Sequence, residues 1–213
     1  MKYTVEFIGT FFLVAVVIGS GIMAENISGG NLGVALLGNT IPTGAILYVI
    51  IKMFGPVSGA HFNPVVSLII FLRKELSLLD LVKYIFVQLV GGISAVFLVH
   101  YIFEISIFQV STNIRGELPL LVSEIIATCG LILTILFIRK NDENSVAMGV
   151  ALFISAGYWF TSSTSFANPA VAIARTFTES FTGINYLNTP TYIIAELIGA
   201  LVAVLLIKKL LLK

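Results

Sequence analysis

The sequence predicts an all-α membrane protein: six transmembrane helices plus two re-entrant half-helices, arranged as an inverted three-span repeat. Three observations carry this. Hydrophobic residues fill 58% of the 213 positions and charged residues only 11%, against about 25% charge in an ordinary soluble domain. Six apolar stretches approach the roughly 20 residues that a bilayer span needs; they lie at about 3–24, 33–54, 80–102, 119–138, 146–163 and 191–207. The second half of the chain also repeats the first.

The first stretch has one Lys ahead of an apolar run, as a signal peptide does. It is too long for that, and Glu6 sits near its start, so it reads as a retained span. After the second stretch, Gly55-Pro56 is expected to stop a regular helix. Asn63 is then a good N-cap, and Pro64 suits the first helical position. The apolar run from Val65 to Leu72 makes about ten residues of helix, or ~15 Å, half a bilayer. The third span follows. Cys129 lies in the fourth; one cysteine cannot form an internal disulfide, and it reads as a small packed residue. After the fifth span, Asn168-Pro169-Ala170 opens a second half-length helix, and the sixth span closes the series.

The repeat is visible residue by residue. "YIFVQLVGGISAVFL" from Tyr84 and "YIIAELIGALVAVLL" from Tyr192 share seven of fifteen positions at an offset of 108. Glu6-x-x-x-Thr10 matches Glu124-x-x-x-Thr128, and Asn63-Pro64-Val65 matches Asn168-Pro169-Ala170 at an offset of 105. The chain is thus one domain, with repeat 1 at about 1–105 and repeat 2 at about 119–213. Three spans per copy invert the second copy in the membrane, which puts the shared site near the midplane. A lone Asn-Pro pair usually means a helix cap in a loop. Two in matching positions of an inverted repeat mean half-helices that meet N-terminus to N-terminus, their unpaired N–H groups and positive dipole ends directed to the midplane.

The basic residues set the orientation. With both termini in the cytoplasm, Lys2, Lys52, Arg73, Lys74, Lys83, Arg139, Lys140, Lys208, Lys209 and Lys213 fall on or near the inner side. Only Arg115 and Arg175 fall outside. A net charge of +1 gives no reason to expect a nucleic-acid partner.

At this point the sequence resembles the aquaporin, or major intrinsic protein, family over its whole length. "SGAHFNPVVS" and "FANPAVA" match the family's two Asn-Pro-Ala boxes, and Val65 departs from the usual Ala. The resemblance implies an aquaporin-like fold, a homotetramer with one pore per subunit in a lipid membrane of the bacterial inner type, and passive flow of water and small neutral solutes. It implies no cofactor. It also implies that Asn63 and Asn168 donate hydrogen bonds to the permeating molecule, and that Glu6 and Glu124 tie down loop backbone. His61 would support the first half-helix; a packed histidine bonded to backbone is the plainer reading, and no metal-ligand set surrounds it. Glu196 pairs by symmetry with Gln88, which argues against an obligatory proton carrier.

The family's narrowest point maps by ungapped counting to Thr43, Ala156, Ser165 and Val171, with slips of one to Gly44 or Gly157 open. Most members have Arg at the place of Val171, and water-selective ones have an aromatic at Thr43 and His at Ala156. The smaller residues here imply a wide, Arg-less, aquaglyceroporin-like filter for glycerol, urea, or metalloid acids such as arsenous acid. Arg175, one turn beyond Val171, could still reach the pore mouth, although a surface ion pair with Glu179 is the plainer expectation. Two other classes compete. A proton-coupled secondary transporter needs a titratable group on the path, and only Glu6, Glu124 and Glu196 qualify. An intramembrane enzyme needs a Ser–His pair, paired Asp residues or a zinc set, and the spans offer none.

Overall fold

The computed structural model describes residues 1–211, and Lys213 lies outside them. The helices are α1 (Lys2–Ile27), α2 (Leu32–Ser58), α3 (Pro64–Leu72), α4 (Leu78–Ile102), α5 (Leu118–Asn141), α6 (Val146–Phe160), α7 (Pro169–Ala174) and α8 (Thr189–Leu211). Single 3-10 turns occupy Glu143–Ser145 and Arg175–Phe177. The described chain is therefore all-helical, with six long helices and two short ones in the expected order.

Three boundaries differ from the sequence expectation. Gly55-Pro56 does not stop α2, which runs to Ser58. A proline in the last turn removes a single N–H, and the turn is closed by Gly59 N–H bonding Gly55 O at 3.0 Å. The stop is Gly59 itself, left-handed at φ 86°. In the second copy α6 ends at Phe160, after 15 residues, because Thr161 turns extended. It is about 22 Å long, and the other five long helices are the ones with span length. The second half-helix keeps α geometry only to Ala174, since the Arg175 carbonyl is taken by Ile184 N–H at 3.2 Å.

Contacts fix the faces. Lys2 at the start of α1 pairs with Asp80 at the start of α4, and Arg139 at the end of α5 pairs with Glu75. Lys52 near the end of α2 reaches the Asn144 carbonyl. These mark one face, called here the terminal face because α1 starts and α8 ends there. On the opposite face Glu25, late in α1, accepts from Phe181 N–H, and His100, late in α4, bonds Thr178.

The two repeats pack alike. α1 crosses α4 as α5 crosses α8, and across the pseudo-two-fold α2 meets α6 and α3 meets α7. Both intra-repeat crossings rest on a glycine. A methyl at Gly91 would lie 2.6 Å from the Phe7 carbonyl oxygen, and Gly199 is pressed the same way against Ile125. Small residues let membrane helices approach backbone to backbone. The outer faces stay apolar: Phe12, Ile41, Phe86, Leu152 and Leu205 are all exposed. Lipid, unlike water, does not penalise them. Gly91→Ala and Gly199→Ala should each cost about 1–3 kcal/mol by overpacking. The readout is a lower unfolding temperature in detergent, and an unchanged one would show that the crossings can yield.

Candidate functional site

The two box loops share an unusual backbone. Ala60 and Phe62 are left-handed in the first loop (φ 50° and 47°), and Ser165 and Ala167 are left-handed in the second (φ 53° and 47°). The residues correspond at the same offset of 105. Each non-glycine residue held there costs roughly 1–3 kcal/mol, so something must hold them. A buried carboxylate does so in each repeat. Glu6 accepts from His61 N–H at 2.9 Å and Phe62 N–H at 2.8 Å, and also from the Ser58 hydroxyl at 2.6 Å. Glu124 accepts from Phe166 N–H at 2.9 Å and Ala167 N–H at 2.8 Å. Both are fully buried. Gln88 donates to Glu6 at 2.9 Å and to Ser67 at 3.1 Å. Its counterpart Glu196 instead accepts the amide of Asn168 at 2.8 Å.

The asparagines cap the half-helices from extended backbone. Asn63 Oδ1 accepts from Val65 N–H at 2.9 Å, and Asn168 Oδ1 accepts from Ala170 N–H at 3.0 Å. Pro64 and Pro169 fill the first helical positions. The amides then cross over. Asn63 Nδ2 donates to Ala167 O at 2.7 Å, and Asn168 Nδ2 donates to Phe62 O at 2.9 Å. This reciprocal lock joins the loops at the centre of the molecule. Each side-chain amide has two hydrogens, so one N–H per asparagine is left for another acceptor.

A continuous cavity of about 790 Å³ passes both asparagines. Near the terminal face it is lined by Lys2, Glu75, Asp80, Arg139 and Glu143. Arg73 and Arg139 both pair with Glu75, at 2.7 and 2.8 Å. Partial burial works to raise the Glu75 carboxyl, but the two guanidiniums outweigh it and hold its pKa below the usual value. That pairing therefore persists at neutral pH and is lost as pH falls through the lowered value.

At the other end Thr43, Ser165 and Val171 line the cavity. Ala156 does not. It is exposed on the outer side of α6, and Gly157 is packed against Ser165, where a methyl would lie 2.6 Å from its Oγ. The wall at this level is Tyr158, whose hydroxyl lies 3.3 Å from Thr43 Oγ1. Tyr158 was the residue that counting missed. The signal available was the helical period, since Val150 and Ile154 line the same cavity at four-residue steps.

Arg175 is on the path and not in the surface pair with Glu179. It is buried, with 2% exposure, and lines the cavity rather than the surface. Its Nε donates to Thr182 O, and the guanidinium lies 3.5 Å from the Phe166 ring centroid. Glu179 does not pair with it; both carboxylate oxygens are taken at 2.6 Å by Thr112. His61 lines the cavity and bonds the Ser67 side chain at 3.0 Å, not the backbone. Cys129 is half-buried beside the α3–α5–α8 core. Among the described residues no cluster of three or more His, Cys, Asp or Glu side chains could hold a metal ion.

Comparison with known proteins bears on this arrangement. The profile of the family described as Major intrinsic protein matches residues 1–146 and 138–213. The chain is 45% identical over 206 residues to the aquaglyceroporin AqpS of Rhizobium meliloti (strain 1021), covering 97% of this chain and 88% of that one. It is 31% identical over 157 residues to a probable TIP-type aquaporin of Medicago truncatula, covering 72% and 62%. The X-ray structure of the aquaglyceroporin from Plasmodium falciparum superposes with a TM-score of 0.78 at 21% identity, over 99% of this chain and 96% of that one.

The carboxylate clamps make a test. Leu at position 6 or 124 leaves two buried amides without acceptors, at about 1–3 kcal/mol each. Gln keeps one acceptor oxygen and should cost less. Folded yield and thermal stability should therefore rank wild type, Gln, then Leu at both positions. A Leu variant as stable as wild type would show that the loops hold themselves.

Proposed function

The chain belongs to the major intrinsic protein family, and we propose that its channel passes larger neutral solutes, of the glycerol, urea and metalloid-acid class, as well as water. It is an integral membrane channel for water and small solutes, not an enzyme. The observation that carries the solute reading is Val171. It lines the cavity at the position where most of the family bears Arg, with Thr43 and Ser165 beside it. A short apolar side chain leaves room and adds no donor. The aquaglyceroporin name of the 45% identical relative supports the same reading.

In this reading Asn63 and Asn168 each offer their remaining N–H to the solute in single file. Pro64, Val65, Pro169 and Ala170 open the half-helices that direct positive dipole ends to the same place. Glu6, Glu124 and His61 hold the loops. The channel works as a homotetramer in a bacterial-type inner membrane, with both termini cytoplasmic; the cluster of Lys2, Lys52, Arg73 and Arg139 on the terminal face supports that orientation. The proton-coupled transporter is disfavoured by one observation. Glu6, Glu124 and Glu196 are not among the cavity-lining residues, and their bonds run to the loops behind the path.

Two outcomes follow for reconstituted protein. Planar bilayers should show no sodium or proton current above protein-free controls, because two half-helix ends face the path; currents scaling with protein amount would refute the barrier. In stopped-flow light scattering of proteoliposomes the wild type should pass glycerol, urea or arsenous acid as well as water. Val171→Arg should lower glycerol permeability by roughly tenfold, the scale on which a fitted site rejects a size mismatch, and water by less. Adding Thr43→Phe should go further the same way. A wild type that passes water and excludes every larger solute is the result that defeats the wide-filter reading.

A further inference from the structure

We infer that Arg175, reaching in from one turn beyond Val171, supplies the guanidinium of this pore, and that with Tyr158 and Thr43 it forms the solute-selecting constriction. The inference rests on the channel reading above and names the residues that set its selectivity. The solutes it fits are small uncharged molecules that carry both an acceptor oxygen and a donor hydroxyl.

The cavity gives the first reason. Away from the terminal face its lining ends at Arg175, Phe166, Tyr158 and Thr43, and the outer-loop residues Asn113, Glu179 and Ser180 do not belong to it. Arg175 therefore stands at that end of the path.

The second reason is the state of the side chain. A guanidinium with 2% exposure is costly to bury without partners. Arg175 is in no salt bridge among the described residues. Of its five N–H donors, the Nε proton goes to Thr182 O, and the ring of Phe166 covers a face. The two terminal nitrogens have no hydrogen-bond acceptor in the described protein, so water or solute in the cavity must supply one. The stack and the Nε bond together fix the plane of the group, which a mere loop anchor does not require.

Direction is the third. Helical side chains lean toward the helix N-terminus. Arg175 follows α7 by one residue and keeps right-handed backbone, φ −68° and ψ −8°. Its side chain thus leans back over the turn that holds Val171, toward the midplane. The long side chain recovers from one turn out the charge that Val171 lacks. Across the path stand two hydroxyls, Tyr158 and Thr43, 3.3 Å apart. Donors on one wall and hydroxyls on the other suit a polyol or a neutral oxyacid, and the fixed positive charge rejects cations.

The test uses full-length protein in proteoliposomes, with water, glycerol, erythritol and xylitol as probes in stopped-flow light scattering. The variants are Arg175→Gln, Arg175→Lys, Tyr158→Phe and Tyr158→Ala, each checked for monodispersity. Arg175→Gln and Tyr158→Ala should raise the xylitol-to-glycerol permeability ratio by roughly tenfold or more, the scale of one size step in a fitted pocket. Arg175→Lys should keep cations out while relaxing the ratio, since a point charge replaces a planar fork. A residue that only anchors the 181–184 loop changes stability and leaves the ratio alone. A monodisperse Arg175→Gln with the wild-type ratio overturns the inference. If no Arg175 variant is recovered folded, a monodisperse Tyr158→Ala with the wild-type ratio overturns it instead. Failure of the wild type to pass any solute, by contrast, strikes the channel reading itself, which separates the two.

Discussion

A carboxylate behind each broken loop is the interaction on which the rest depends. Irregular backbone at membrane depth survives only when its amides are satisfied by protein or by a wet cavity. Each box loop turns through left-handed residues, and those turns aim two successive N–H groups away from the path and at Glu6 or Glu124. Without that acceptor the strained turn has no compensation. With it, the chain can reverse at mid-membrane and start a half-helix at Asn63 or Asn168. The crossed amides of the two asparagines then tie one loop to the other. Five left-handed residues (Ala60, Phe62, Thr164, Ser165 and Ala167), two acids and two caps thus form one cooperative unit at the pseudo-two-fold.

Much of this was legible in the sequence because it repeats. The offset of 105 between the boxes, and Glu-x-x-x-Thr in both copies, announced the symmetry before any coordinates. Helix order and half-helix starts followed from it, and the family resemblance supplied the roles of Glu6 and Glu124 as loop acceptors. What the sequence obscured lay where the copies differ. Ungapped counting put Ala156 in the pore, yet the extended turn after Phe160 shifts the frame, and Tyr158 faces the cavity instead. Pro56 looked like a helix stop, yet a proline in a last turn costs little and Gly59 does the stopping. A basic residue four before an acid looked like a surface pair, yet the loop at 109–115 takes Glu179 by backbone and hydroxyl donors. That tertiary contact has no local signature.

The two repeats differ in what backs their loops. Repeat 1 backs its loop with the neutral Gln88, shared between Glu6 and Ser67. Repeat 2 uses a second acid, Glu196, on the Asn168 amide. The side with two acids is also the side with Arg115 and Arg175 near Phe166. The first half-helix, by contrast, carries no charge from Pro64 to Leu72. The half of the pore near Phe166 therefore presents the Arg175 guanidinium, and the half toward the terminal face opens on an ion-paired mouth.

On the channel reading proposed above, the arrangement gives a chain with three fully buried acids a way to oppose cations. Charge acts on the path according to what stands between. Glu6 and Glu124 lie behind loop backbone whose N–H groups point at both of their oxygens, and Glu196 accepts one such N–H at Asn168. What faces the cavity at the midplane is the reverse: the open ends of two half-helices, each near half a positive charge, and the remaining amide hydrogens of Asn63 and Asn168. The acids that do line the cavity, Glu75, Asp80 and Glu143, stand at its mouth, where Arg73, Arg139 and Lys2 meet them. Negative charge is thus spent on holding the fold and on the entrance, and positive potential is left for the narrow part. On that reading a neutral solute that accepts a hydrogen bond recovers its desolvation along such a gradient, and a cation does not.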